Sequence, residues 1–221
     1  MDLAADPNAL RLRNLDACAV SDALDKLGLP GVVTGLQHRS GAGRIAGRAV
    51  TMKVGVGAPP PGPPRHLGCA AIALAGPDDV IVVEQRSGVE AGCWGGLLTL
   101  GAQARGVAGV VADGPLRDVD EAMECGFPIY SRSLTSFTAR GRVVELGTQV
   151  PVAIGAVTVQ PGDYVLADRS AAVFIPAGKI ERVLEAAETI AAREASMARA
   201  IRAGTPIGQV MDGSYEHMLR S

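Results

Sequence analysis

The stretch from Gly95 to Cys125 constrains the fold of this chain more than any other part. Gly95-Gly96 lead into a short helical run, Leu97 to Arg105. A β-branched apolar run follows, Val107 to Ala112, closed by Asp113-Gly114-Pro115. Arg117-Asp118 come directly afterwards and open another helical run, Val119 to Cys125. With the strand-like Val80 to Glu84 upstream, strands and helices alternate across short turns. Such a cadence implies parallel pairing and an α/β fold.

The flanks extend that reading. Asn14 to Gly28 reads as a helix, with Leu15, Ala19, Ala23, Leu24 and Leu27 near one face and Gly28-Leu29-Pro30 as its stop. Ile45 to Val54 reads as a strand, Gly55 to Pro64 as a Pro/Gly-rich loop, and His66 to Ala75 as a helix. After Phe127 the rhythm changes to short strands: Val143 to Leu146, Val152 to Ile154, Val157 to Val159, Tyr164 to Ala167 and Ala172 to Ile175. Lys179 to Arg202 is a long helix, followed by a tail from Thr205 to Ser221 that carries Tyr215 and His217. The expectation is one α/β domain over residues 1–221, strand-rich in its second half. Its C-terminal helix and tail, about 179–221, are expected to reach a neighbouring subunit.

Composition excludes several functions. Formal net charge is -2, aromatic residues are 3%, and no Lys/Arg run occurs, so direct nucleic-acid binding is not expected. Cys18, Cys69, Cys93 and Cys125 form no CxxC pair, which disfavours zinc ribbons and redox dithiols. No apolar run approaches the roughly 20 residues that span a bilayer, and the N-terminus lacks a signal pattern. A reducing cytoplasm, without membrane contact, is the expected location.

The chemistry concentrates where Val107 to Ala112 ends. A helix N-terminus offers free N–H groups and a positive dipole end to an anion, and Gly92, Gly95 and Gly96 allow close approach to one. Arg117 stands at a strand's C-terminal edge, where open α/β sheets bind ligands, and its fork matches a carboxylate. Asp118 is a hard oxygen ligand for Mg²⁺ or Mn²⁺, with Asp120 and Glu121 adding carboxylate nearby. Alone, such a pair after a strand is more often a surface ion pair or a helix cap than a functional site. Other candidates are poorer. Lys53 is the one lysine placed for a Schiff base; His38, His66 and His217 share no metal-ligand spacing. Ser87, Ser131 and Ser133 lack a nucleophile-elbow context, and GVG at Gly55 is an incomplete dinucleotide fingerprint.

Gly96, then twenty residues, then Arg117-Asp118 and Glu121 make a G-x20-R-D-x2-E pattern within WGGLLTLGAQARGVAGVVADGPLRDVDE, Trp94 to Glu121. This segment resembles the core of the regulator-of-ribonuclease-activity-A / 4-hydroxy-4-methyl-2-oxoglutarate aldolase family. VSDALDKLGLPG (Val20 to Gly31), RIAGRAVTM (Arg44 to Met52) and PGDYVLADRSAAVFIP (Pro161 to Pro176) resemble its flanking elements.

The resemblance implies a swivelling β/β/α-type fold assembled as a homotrimer or hexamer. It also implies a divalent-metal-dependent (class II) pyruvate aldolase or oxaloacetate decarboxylase acting on small 2-oxo acids. The metal would sit on Asp118, and Arg117 would contact the pyruvyl group. Backbone amides of Gly95, Gly96, Leu97 and Leu98 would hold the substrate carboxylate. Glu194, from a neighbouring subunit's C-terminal helix, would approach the metal. The aldolases carry Asp at the position of Gly96. This chain therefore resembles the ribonuclease-regulator branch, where Glu121 supplies the missing carboxylate. That branch also implies an alternative, a non-catalytic protein that binds and inhibits a ribonuclease.

Overall fold

The computed structural model describes residues 6–63 and 65–211. Two helices open the chain, α1 (Pro7–Arg13) and α2 (Ala17–Leu27). Each starts on an aspartate whose carboxylate accepts backbone N–H bonds: Asp6 from Asn8 and Ala9, Asp16 from Ala19. The predicted helix from Asn14 is thus shorter at its start, and α1 was not anticipated. Gly28 ends α2 in the left-handed conformation (φ 63°) that glycine adopts without steric cost.

Next come β1 (Val32–Val33), β2 (Gln37–Ser40), β3 (Ile45–Gly55), α3 (Cys69–Leu74), β4 (Asp79–Gln85), α4 (Gly96–Ala104), β5 (Gly109–Leu116), α5 (Val119–Glu124) and β6 (Ile129–Leu134). The later elements are β7 (Val144–Thr148), β8 (Val152–Ile154), β9 (Val157–Val159), β10 (Tyr164–Ala167), β11 (Ala172–Ile175), α6 (Ile180–Arg202) and α7 (Ile207–Val210). β3, β4, β5 and β6 pair in parallel, as the cadence required. Antiparallel strands extend the sheet in the order β1-β11-β10-β3-β4-β5-β6-β2, and β7 pairs with the far half of β3.

β5 departs from expectation: it does not stop at Ala112 but runs through Asp113-Gly114-Pro115 to Leu116. The usual turn signal is overridden because each residue has a partner there. A side chain at Gly114 would meet Gln85 Cβ at 2.7 Å, and the Pro115 carbonyl accepts the Cys93 N–H at 2.9 Å. β6 and β2 also escaped the sequence reading: β2 is a polar edge strand that pairs with β6, and β6 pairs in turn with β5.

Alternation along the strands sorts the core. Val50, Met52, Val54, Ile81, Val83, Val110 and Ala112 face α3, α4 and α5. Ala46, Leu166, Val173 and Ile175 face α1, α2 and α6 on the neighbouring half of the same sheet surface. The opposite surface, with Val80, Val82, Val111 and Val165, is covered by the β8–β9 hairpin. The result is an α/β fold with a curled mixed sheet and a long C-terminal helix. Among the described residues no helix is long and apolar enough to cross a membrane.

Candidate active site

The chain leaves β4 at Gln85, loops outward, and returns at Cys93-Trp94 beside the end of β5. There Trp94 bridges Leu116 in parallel, and Arg117 N–H donates to the Trp94 carbonyl at 3.1 Å. Buried Trp94 is pinned by its Nε1–H to Thr99 Oγ1 (3.1 Å), whose hydroxyl donates in turn to the Gly95 carbonyl (3.1 Å). This pairing brings the start of α4 against Arg117-Asp118, twenty residues away in sequence.

The glycines are required by contact. A Cβ on Gly92 would lie 2.9 Å from Arg117 Cγ, and one on Gly95 2.7 Å from Asp118 Oδ2. The Arg117 stem therefore lies in a groove floored by bare backbone.

Asp118 has φ 57° and ψ 43°, left-handed for a non-glycine residue, which costs roughly 1–2 kcal/mol. It is the residue before α5, yet its side chain does not cap that helix. Its Oδ2 instead accepts the Gly96 N–H at 3.0 Å, and its Oδ1 the Arg117 Nε–H at 3.1 Å. The twist turns the carboxylate from its own helix to the N-terminus of α4, strain of the sort that gathers at functional sites. Arg117 and Asp118 remain about one-third exposed, so the pair is open to a ligand.

Glu121, in the first turn of α5, bends back to the same point. A side chain on Gly96 would collide with Glu121 Oε2 and lie 3.4 Å from Asp118 Cβ. The Glu121 carboxylate thus occupies the volume that a residue larger than glycine at position 96 would fill. Among the described residues it accepts no hydrogen bond. The Leu97 and Leu98 amides at the head of α4 also have no acceptor among those residues.

Two carboxylates at the start of α5, Asp118 and Glu121, are a hard oxygen donor set suited to Mg²⁺ or Mn²⁺, which keep several waters. Among the described residues no group of three or more His, Cys, Asp or Glu could hold a metal. Among the described residues the site therefore offers Asp118 and Glu121. Glu194 lies elsewhere: α6 packs on α1 and α2, over β10 and β11. Burial, then repulsion by Asp22 and Asp16, pushes its carboxyl above the usual range. Glu194 does not join Asp118 within one chain.

The rejected candidates have other employment. Lys53 Nζ is 3.4 Å from Glu84 Oε1 and half-exposed, not a desolvated amine. The His38 ring lies against Tyr130, His66 Nδ1 contacts the Leu67 carbonyl, and the Ser131 hydroxyl accepts from Arg39 Nε. Cys93 is buried in the core. Tyr215 and His217 lie outside the described residues. The sequence reading missed Gln85, a buried amide whose Nε2–H₂ donates to the Val89 (2.9 Å) and Ala91 (3.0 Å) carbonyls and shapes the loop before Gly92. A polar residue ending the apolar run VIVVE was the available signal.

A family model described as RraA-like, Aldolase/RraA, matches residues 17–174. The chain belongs to that family. The matched region holds the whole Gly92–Glu121 constellation, but not Glu194. Among relatives, DlpA of Legionella pneumophila is 28% identical over 95% of this chain, which spans only 34% of that protein. A protein of Halalkalibacterium halodurans named "Putative 4-hydroxy-4-methyl-2-oxoglutarate aldolase" is 29% identical, covering 86% of this chain and 87% of its own length. Among solved structures, an uncharacterized protein from Pseudomonas syringae pv. tomato aligns with TM-score 0.82 and 29% identity, over 93% of this chain and 96% of that one. Streptomyces coelicolor RraAS2, titled an unusual member of the RNase ES inhibitor RraA protein family, aligns at 0.73 with 27% identity, over 83% and 92%.

Proposed function

We propose that this RraA-like protein is a divalent-metal-dependent lyase that cleaves small 2-oxo acids through a pyruvate enolate. The observation that carries this reading is the convergence of Asp118, Glu121 and Arg117 on the free amides of α4. Asp118 would hold the cation, with the Glu121 carboxylate beside it, and the cation would supply the Lewis acidity that stabilises an enolate.

The chain's own residues account for the rest. The Leu97 and Leu98 N–H groups, at the positive end of α4, suit the substrate carboxylate. Arg117 keeps its outer N–H groups for the oxygen on which negative charge develops, so it favours the transition state over the ground state. Glu121, which has no hydrogen-bond partner among the described residues and stands beside the carboxylate pocket, is placed to take the proton of a 4-hydroxyl in retro-aldol cleavage. Decarboxylation of oxaloacetate needs no such base. Gly96, where the aldolases carry Asp, leaves Glu121 as the second carboxylate for both reactions.

We further propose assembly as a homotrimer or hexamer with the site at a subunit boundary. Leu97 is 85% exposed, and Leu74, Leu100 and Met123 are also exposed on α3, α4 and α5. Glu194 would then approach from a neighbouring α6.

The test is pyruvate release from oxaloacetate and from 4-hydroxy-4-methyl-2-oxoglutarate, with and without Mg²⁺, for the native chain and Asp118→Ala. Metal-dependent release that Asp118→Ala abolishes supports the assignment; full activity in that variant overturns it. The name of RraAS2 favours a second reading, a ribonuclease-binding regulator. Silence on both substrates with measurable ribonuclease binding would select it.

A further inference from the structure

We propose that a second anion site lies in a cleft at the ends of β4, β5 and β6, and that it takes a small oxyanion, a carboxylate or phosphate group. The cleft is about 410 Å³ in volume, with Gln85, Arg86, Glu90, Asp113, Arg132 and Ser133 in its wall. It opens at the carboxyl ends of parallel strands, where open α/β sheets bind ligands.

Its floor is organised by Asp113, whose side chain is only 6% exposed. Asp113 Oδ1 accepts Arg132 Nε–H at 2.8 Å, and Oδ2 accepts the Gly155 N–H at 2.7 Å. Arg86 Nε lies 3.7 Å from the same Oδ2. Two guanidiniums therefore share one buried negative charge, which leaves a positive charge in excess. Arg132 Nη1 is also tied to the Thr34 carbonyl (2.9 Å), and Arg86 Nη1 to the Gly155 carbonyl (2.7 Å).

A guanidinium carries five N–H donors. After these bonds the Nη2 group of each arginine has no acceptor among the described residues, and both side chains remain partly exposed. Each is anchored on one side and open on the other, a preorganised donor for an oxyanion. Glu90 is the opposing charge in the wall; it is exposed and accepts from Thr135 Oγ1 at 3.2 Å, so water screens it. The Arg86 loop is held by the Gln85 amide, whose Oε1 accepts from Ser87 N–H and Oγ–H.

Asp113 lies on β5 and Arg117 just past its end, four residues on and at most about 13 Å away at ~3.3 Å per residue. The oxyanion is therefore either the distal carboxylate of a dicarboxylic substrate or a separate free ion.

The experiment titrates the full chain, without divalent metal, with inorganic phosphate and with succinate by calorimetry. Saturable binding is expected, weakened at least ten-fold in Arg86→Gln and in Arg132→Lys, which keeps the charge but loses the fork. Thermal melting checks that both variants fold; Arg86→Gln removes only one carbonyl bond and an ion pair, so it serves if Arg132→Lys fails to fold. No saturable binding of either anion, or unchanged affinity in folded variants, overturns the proposal. Steady-state kinetics then separates the sources. A KM raised for oxaloacetate but not for a monocarboxylic 4-hydroxy-2-oxo acid assigns the distal carboxylate. Lost anion binding with both KM values unchanged assigns a free ion. That kinetic arm rests on the lyase reading; the calorimetric arm does not, so an inactive protein leaves the binding result standing.

Discussion

Replacing Gly96 with Ala should disable the site while leaving the fold nearly untouched. The new Cβ would collide with Glu121 Oε2. Glu121 is exposed, so its carboxylate swings away rather than forcing the backbone; an off-rotamer side chain costs about 0.5–1.5 kcal/mol. Gly96 lies in helical backbone, where alanine regains up to about 1 kcal/mol. The two terms nearly cancel, and a residual 1 kcal/mol moves Tm by only about 2–4 °C in a chain of this size. Activity should respond far more. Loss of a positioned acid–base group costs roughly 10²–10⁴-fold, so kcat/KM for retro-aldol cleavage should fall about 100-fold. Pyruvate release coupled to NADH oxidation reads this directly. Gly96→Ala/Glu121→Ala should be no worse than Gly96→Ala, because the carboxylate is already displaced. Gly96→Asp/Glu121→Ala moves a carboxylate to the other side of the same volume and should recover most of the rate. Coupling of roughly 1–3 kcal/mol is expected between residues in such contact. Full activity in Gly96→Ala, or strictly additive effects, would refute the claim that Glu121 works from the space above Gly96.

Arg117→Lys keeps the charge but not the planar fork; kcat should fall at least ten-fold with little change in Tm, read from the same assay and a melting curve. Burial pushes the Cys93 thiol up to about 12. It should resist alkylation in the native protein at pH 8, while exposed Cys18 and Cys69 react; peptide mass mapping before and after denaturation checks this. Burial raises the Asp6 carboxyl, but bonds from Ala9 N–H, the Tyr164 hydroxyl and Asn8 N–H, with Arg48 nearby, outweigh it and hold it below its ordinary 3.8. A depressed carboxylate contributes stability above that value and loses it as pH falls through the folded one. Asp6→Asn should therefore lower Tm at pH 7 and flatten its fall below about pH 4, which a pH series of melting curves would show.

Local patterning fixed the strand and helix alternation from Val80 to Cys125, because period and turn residues act over a few residues and need no distant partner. Four of the short strands in the second half, from Val152 to Ile175, were legible to the residue for the same reason. β2 and β6 were not, since β2 is polar and held by its pairing with β6, and only Ile129 and Tyr130 of β6 show an apolar side before Ser131-Arg132-Ser133 breaks the pattern. β5 overran its Asp-Gly-Pro because distant partners, Gly155, Arg132 and Cys93, took up the groups that would otherwise turn.

Arg117-Asp118 followed the same division. The spacing to Gly96 marked the pair, and the sequence alone left it open as a cap or surface ion pair. Tertiary pairing of Trp94 with Leu116, and the left-handed twist at Asp118, turned that carboxylate onto α4 and brought Glu121 above Gly96. Those contacts join residues more than twenty positions apart. No local propensity encodes them; only packing of the two strand ends sets their distance.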